Sequence, residues 1–355
     1  MNPGFLLFAA SLLPALPAAG TSLGAPGAGL GAAAAASGRP KECMSSSRRA
    51  LAKGPSIWEA AREPSLVRYC DLRARAQTEL SSQPEAAKAA AIEADQALPG
   101  HAAPQVVRAR AELALGSLEA AAQAFEKARG IEPRSVEDPG TMHDLARVLA
   151  RTGKRDEALA VYRALVPRVD LLGTPDRRIS VLIEAAHVSM AADAAGTAAS
   201  PTDVGKKGAR VRLDEAAAYL REARQRPPTQ LAGDVLLSLA LVLDRAGLRE
   251  QADAALAEAQ RSGDAVRFRS ATAGPRAPDY LAGPEDALAL AALAAEDRDR
   301  VESQKAWEAF LAGPGGKGAW AGAAKARLDA LKKGGGAKAP SPKSATAAPK
   351  PPQKR

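Results

Sequence analysis

The clearest hydrophobic pattern in the chain lies in residues 233–260, where two helical stretches flank one glycine. In the first stretch, apolar residues recur at steps of three and four, and they are Leu236, Leu239, Ala240 and Leu243. The second stretch continues with the same kind of spacing at Ala252, Leu256 and Ala259. Gly247 stands between them, and glycine tolerates the positive φ at which a helix often ends. The pattern predicts two antiparallel helices, held close by alanines and packed through leucines.

The same pattern returns in residues 141–166. Its first helix is marked by Met142, Leu145, Ala146 and Leu149. Gly153 supplies the turn, and the second helix is marked by Ala158, Tyr162 and Leu165. No stretch alternates apolar and polar residues for long, as a half-buried strand does. We therefore expect an all-α fold.

These units resemble the tetratricopeptide repeat, a 34-residue helix–turn–helix with small and large residues at fixed positions. An upstream unit matches in its turn and second helix, at Gly116, Ala121, Phe125, Ala128 and Pro133. The resemblance covers residues 68–312 and is weakest in 68–101. It implies an α-solenoid of helix hairpins with N- and C-terminal capping helices. A solenoid built from another type of helix hairpin is the structural alternative.

The segments outside the repeats differ in composition. Residues 194–212 lack an apolar period and are interpreted as a loop insertion within one repeat. The predicted division is a signal peptide at 1–20, a low-complexity linker at 21–38, an N-terminal helical cap at 39–67, repeats at 68–312, a C-terminal capping helix at 313–333 and a disordered Lys/Pro/Ala-rich tail at 334–355.

The N-terminus indicates export. Residues 1–38 contain no charged residue, and the apolar run 5–13 has the length of a secretory signal core. That run is too short to span a membrane. No Lys or Arg precedes it, as one usually does in such signals. We expect an exported, periplasmic or envelope-associated protein, with an uncleaved N-terminus in a cytoplasmic protein as the alternative.

The two cysteines, Cys43 and Cys70, fit an oxidising compartment, where an even pair is usually bridged. The sequence thus predicts a disulfide between them. The alternative is two buried thiols in a cytoplasmic protein.

The positive charge of the chain is concentrated at its end. The net charge is +9, but residues 332–355 hold seven basic residues and no acid. Without those seven, the 49 basic residues come within two of the 40 acidic ones. The tail favours an alternative function, an electrostatic tether to an anionic polymer, a membrane surface or nucleic acid. No aromatic residue lies among its lysines to stack on bases.

Few residues are suited to catalysis. The histidines are His101, His143 and His187. Glu184 and His187 form one Glu-x-x-His step, whereas di-iron helical bundles use two such steps with further glutamates. We expect no catalytic site, cofactor, metal or small-molecule substrate.

The resemblance implies that first-helix residues outside the hairpin contact line a groove that binds another protein or an extended peptide. These residues are Arg110, His143, Asp144, Arg147, Arg151, Glu184, His187, Leu237, Ser238, Leu241 and Arg245. Arg110 and Arg147 hold equivalent places in successive units, so they could form a cationic ladder for an acidic segment. Solvated surface arginines are the alternative.

This groove is expected to be charged in its N-terminal half and apolar around Leu237 and Leu241. The predicted function is a non-catalytic protein-binding scaffold, within a periplasmic or envelope assembly.

Overall fold

The computed structural model describes Cys43, residues 64–199, 203–261, Leu281 and 285–333. The chain divides into two compact units, Met1–Pro55 and Ser56–Arg355, and all the α-helices below belong to the second. The predicted signal peptide at 1–20, the linker at 21–38 and the tail at 334–355 lie outside the described residues.

The described residues contain thirteen α-helices and no strand. In chain order they are α1 (Pro64–Glu79), α2 (Pro84–Ala97), α3 (Ala102–Ala114), α4 (Leu118–Ile131), α5 (Pro139–Arg151), α6 (Arg155–Leu165), α7 (Pro175–Ala199), α8 (Asp203–Gln225), α9 (Ala232–Arg245), α10 (Arg249–Arg261), α11 (Glu285–Ala295), α12 (Arg300–Ala312) and α13 (Ala321–Lys333). The all-α prediction is confirmed for this part of the chain.

The helices pack in adjacent pairs. α1 packs on α2, α3 on α4, α5 on α6, α7 on α8, α9 on α10 and α11 on α12, and α13 packs on α12. These pairs are called hairpins one to six, and the earlier helix of each is its first helix. Each first helix also contacts the first helix of the next hairpin. The first helices therefore form one continuous set of neighbours.

The apolar residues that predicted the hairpins are buried between their helices. In the fifth hairpin, Leu239, Ala240, Leu243, Ala252 and Leu256 all join the hydrophobic core. In the third hairpin, the predicted contact residues, among them Leu145, Leu149 and Tyr162, are buried in the same way. Alanine has little side chain to separate two helices, so the leucines and aromatic rings of the facing helix fill the remaining space.

The turn glycines adopt the backbone that the sequence predicted. Gly116, Gly153 and Gly247 have φ values of 80°, 83° and 75°. After Gly116, the amide of Ser117 donates to the carbonyl of Glu112 at 2.9 Å, which caps the end of α3. Equivalent bonds follow Gly153 and Gly247. All three hairpins turn through the same C-terminal cap, the Schellman motif.

The predicted loop insertion at 194–212 is wrong. α7 continues to Ala199 and α8 begins at Asp203, so helix covers most of this segment. Residues 194–199 are mostly alanine, the residue with the highest helix propensity. A missing apolar period indicates that a segment has no buried face, but it does not exclude a helix.

The predicted boundary at the N-terminal end of the repeats also differs from the structure. α1 begins at Pro64, inside the region predicted as the N-terminal cap at 39–67. At the other end, a short 3₁₀ helix, Pro314–Lys317, precedes α13, which lies within the predicted capping segment.

Two further findings concern the cysteines and the membrane. No free cysteine occurs among the described residues, while the bridge between Cys43 and Cys70 stays a prediction. Within the described ranges, no helix is both long enough and apolar enough to cross a bilayer.

Candidate functional site

An open cleft of about 630 Å³ lies where the C-terminal halves of α1, α3 and α5 approach one another. These are the first helices of hairpins one to three. The cleft is lined by Gln77, Leu80, Ser81, Arg110, Leu113, Ala114, Leu115, Gly116, Asp144, Arg147 and Arg151. Its wall thus combines leucines with guanidinium groups, as sites that bind amphipathic ligands do.

Four of the predicted groove residues meet in this cleft: Arg110, Asp144, Arg147 and Arg151. The Nε of Arg110 donates to Oδ2 of Asp144 at 2.7 Å. The side chains of Arg110 and Arg147 remain 20% and 25% exposed, and Arg151 is exposed. The three guanidinium groups therefore face the cleft with one carboxylate among them.

Glu184 is the centre of a buried polar cluster between α5, α6 and α7. Its Oε2 lies 2.7 Å from Nε2 of His143 and accepts a bond from the Tyr162 hydroxyl at 2.8 Å. The Ser180 hydroxyl donates to Oε1 at 3.0 Å, and Nε of Arg147 lies 3.6 Å from the same oxygen. Burial alone would raise the pKa of this carboxyl, but His143, Arg147 and Tyr162 together lower it to about 2. Glu184 is therefore held as a carboxylate.

Arg177, at the start of α7, extends this cluster towards α5. It donates to the carbonyl of Gly140 at 3.2 Å and lies 3.5 Å from Oδ1 of Asp144. Its Nε is 3.4 Å from Nδ1 of His143. Arg177 was not predicted as a functional residue, because it precedes the apolar positions that identify the helix in the sequence.

A second buried cluster joins α7, α9 and α11. Nε2 of His187 lies 3.0 Å from the Ser238 hydroxyl, and its Nδ1 lies 3.8 Å from Asp286. Arg245 donates to Oδ1 of Asp286. Burial would raise the pKa of the Asp286 carboxyl, but Arg245 and His187 lower it well below its usual range.

Together these contacts form what we call the polar seam, a set of four bonds that each join the first helices of consecutive hairpins. The bonds are Arg110–Asp144, His143–Glu184, His187–Ser238 and Arg245–Asp286. Seven of the eleven predicted groove residues belong to it. The residues that the hairpin pattern left unassigned thus connect neighbouring hairpins.

The arginines of the predicted cationic ladder lie close to acidic side chains of the protein itself. Arg110 and Arg147 each lie beside a carboxylate of the protein, Asp144 and Glu184 respectively. The charge that they present to the cleft is therefore partly balanced within the fold.

The expected apolar half of the groove is not an open surface. Leu237, Ser238 and Leu241 are all buried, and the side chain of Arg245 is 3% exposed. The two leucines join the core that α9 shares with its neighbouring helices. In this part of the chain, the first helices are covered.

One of the elements that cover α9 is the segment that contains α13. The ring of Trp320 lies 5.1 Å from the guanidinium carbon of Arg245. Arg327, only 3% exposed, donates at 2.8 Å both to Asp244 and to Asp253, and also contacts Glu296. Burial alone would lower the pKa of Arg327, but Glu296 and Asp244 raise it above its usual range. The apolar pattern predicted α13 but not these polar contacts.

Among the described residues, no three or more His, Cys, Asp or Glu side chains form a group that could hold a metal ion. No protein-family model matches this chain, and no curated protein shows significant similarity to it.

Proposed function

We propose that this chain is a non-catalytic scaffold that binds another protein through the open cleft on α1, α3 and α5. The proposal is supported above all by the composition of the cleft. Three guanidinium groups, those of Arg110, Arg147 and Arg151, lie there beside Leu80 and Leu113. The repeated hairpins and their glycine turns further favour a tetratricopeptide-type α-solenoid, in which stacked repeats present an extended binding surface.

The polar seam supports a preformed site. Hydrogen bonds to buried charged groups are directional and are lost at a high cost, so they fix how each first helix lies against the next. A cleft held in this way needs little rearrangement on binding, which reduces the entropy lost on association. Burial of the leucines would supply affinity, and the arginines would orient the partner.

The proposed setting is a periplasmic or envelope assembly. It is supported by the apolar, uncharged N-terminus and by the even number of cysteines. The alternative function, an electrostatic tether through the basic tail at 334–355, depends only on the charge of that segment. Deleting the tail would abolish salt-sensitive surface association if the tether is correct, and would leave cleft binding unchanged.

Site-specific photo-crosslinking tests the scaffold function. A photoreactive residue would replace Leu115 in the cleft or, as a control, Gln123 on the exposed side of α4. We expect Leu115 to crosslink a defined envelope protein that Gln123 does not, with mass spectrometry identifying the adduct. The adduct should disappear when Arg151→Glu is introduced. Equal adducts at both positions, or none at Leu115, would contradict the proposal.

A further inference from the structure

The C-terminal segment 320–333 contacts positions on the fifth hairpin whose equivalents on the second and third hairpins line the open cleft. It contacts Asp244 through Arg327 and Arg245 through Trp320. Asp244 and Arg245 lie three and two residues before the turn glycine, Gly247. The residues at the same distances before the turn glycine can be identified in the second and third hairpins.

In the second hairpin, the equivalent positions before Gly116 are Leu113 and Ala114. In the third hairpin, Arg151 stands two residues before Gly153. All three of these residues line the open cleft. The cleft and the contact site of segment 320–333 therefore share these register positions on different hairpins.

Segment 320–333 shows which kind of element packs at these positions. It is a helix over most of its length, and Ala324, Leu328 and Leu331 are buried in the core that includes α9 and α11. Its buried cation, Arg327, meets carboxylates from the fifth and sixth hairpins. The chain thus binds one of its own amphipathic helices, through apolar residues and one buried cation with matching carboxylates.

The charges around the open cleft are of the opposite sign. Segment 320–333 brings Arg327 to Asp244, Asp253 and Glu296. The cleft instead presents the guanidinium groups of Arg110, Arg147 and Arg151, with Asp144 beside Arg110 and Glu184 beside Arg147. Opposite charges across an interface favour the right partner and exclude the wrong one.

We infer that the open cleft binds an amphipathic helix of a partner protein, which carries acidic residues where α13 carries Arg327. This inference rests on the proposed scaffold function and specifies the partner. A second copy of this chain fits less well. Its segment 320–333 contains Lys325, Arg327, Lys332 and Lys333 against Asp329, and so would place positive charge on positive charge.

Synthetic peptides provide the test. The probe is the peptide of residues 320–333 in which Lys325, Arg327, Lys332 and Lys333 are each replaced by Glu, titrated into the full-length protein by calorimetry. We expect it to bind at least about tenfold more tightly than the unchanged basic peptide. Equal binding of the two peptides, or no binding of the acidic one, would overturn the inference.

A helix-breaking control separates a helical partner from an extended one. The acidic peptide with an additional Ala326→Pro change keeps its charges and its apolar residues but cannot continue the helix. We expect it to lose most of its binding. If it binds as well as its parent, the partner is extended and the inference is wrong, although the scaffold proposal would stand.

Protein variants locate the binding site. Arg151→Glu places a carboxylate in the cleft and should weaken the acidic peptide by about tenfold. Arg129→Glu makes the same change of charge on α4, outside the cleft, and should have little effect. If the two variants behave alike, the peptide does not bind in the cleft and the inference fails. The crosslinking experiment then decides the scaffold function independently.

Discussion

Glu184 illustrates how this protein uses the polar residues of its first helices. An isolated buried carboxylate is strongly destabilising, yet here His143, Tyr162 and Ser180 all bond to it. Because the three partners come from α5, α6 and α7, the charge is satisfied only when the hairpins are correctly placed. At the scale of the residue, buried polarity therefore specifies how neighbouring hairpins pack.

The pH dependence of stability tests this role. The pKa of Glu184 falls from 4.5 to about 2 on folding, which corresponds to about 3 kcal/mol of stability. A lowered pKa stabilises the folded state fully above the unfolded value, and the contribution is lost as pH falls from about 4.5 towards 2. The wild-type protein should therefore be more stable than Glu184→Gln at pH 7, and the difference should shrink across that range.

Chemical denaturation at a series of pH values measures this difference in the free energy of unfolding. Glu119→Gln, an exposed change on α4, serves as the control and should show little difference from wild type at any pH. A difference for Glu184→Gln that is constant from pH 7 to pH 2 would contradict the assigned ionisation.

The polar seam could not have been predicted from the sequence. Its bonded residues are separated by 34, 41, 51 and 41 positions, because the hairpins and the connections between them differ in length. The bonds therefore follow no fixed spacing along the chain. The sequence therefore identified polar positions on the first helices without showing which residues meet.

At the scale of the element, the hairpin is the part of the structure that the sequence predicts best. The spacing of Leu239 and Leu243 indicates which side of α9 faces its own hairpin, and Gly247 marks where the helix ends. Both signals are local, so no long-range information is needed to read them. The extension of α7 to Ala199 was missed because alanine-rich helix carries no apolar period.

Replacing a turn glycine should destabilise the fold. Gly153 has a φ of 83°, a region that alanine enters at a cost of about 1 kcal/mol. Gly153→Ala should therefore lower the free energy of unfolding by about that amount, measured by urea denaturation.

Gly130 provides the matched control. It lies within α4 without a positive φ, and a methyl group there would meet no neighbouring atom. Gly130→Ala should stabilise the protein by up to about 1 kcal/mol, because alanine favours helix. If both variants shift stability in the same direction, the turn does not depend on the positive φ.

At the scale of the whole described array, α13 joins the sixth hairpin, which directly precedes it in sequence, to the fifth. Arg327 bonds to Asp244 in the last turn of α9 and to Asp253 in the first half of α10, and it contacts Glu296, which follows α11. The capping segment at 313–333 was predicted from its apolar spacing, but its docking site was not, since no local pattern relates Arg327 to Asp244. Loss of this docking should therefore destabilise both the fifth and the sixth hairpin.

Hydrogen exchange tests this docking. Arg327→Ala leaves Asp244 and Glu296, whose side chains are each only 10% exposed, without their cation, a change that costs about 3 to 5 kcal/mol at fully buried sites. Amides of α13 should then exchange roughly a hundredfold faster, while those of α3 change little. Lys325→Ala, an exposed change on the same helix, is the control. Unchanged exchange in α13 would show that its apolar residues alone hold it.

The differing bonds of the polar seam have a consequence for the modular use of these hairpins. Repeats that share only an apolar contact could be exchanged, duplicated or removed with little penalty. Here, removing α5 and α6 would leave Arg110 without Asp144 and Glu184 without His143. Each hairpin is therefore specific to its place in the chain, because its polar side chains bond to particular residues of the next hairpin.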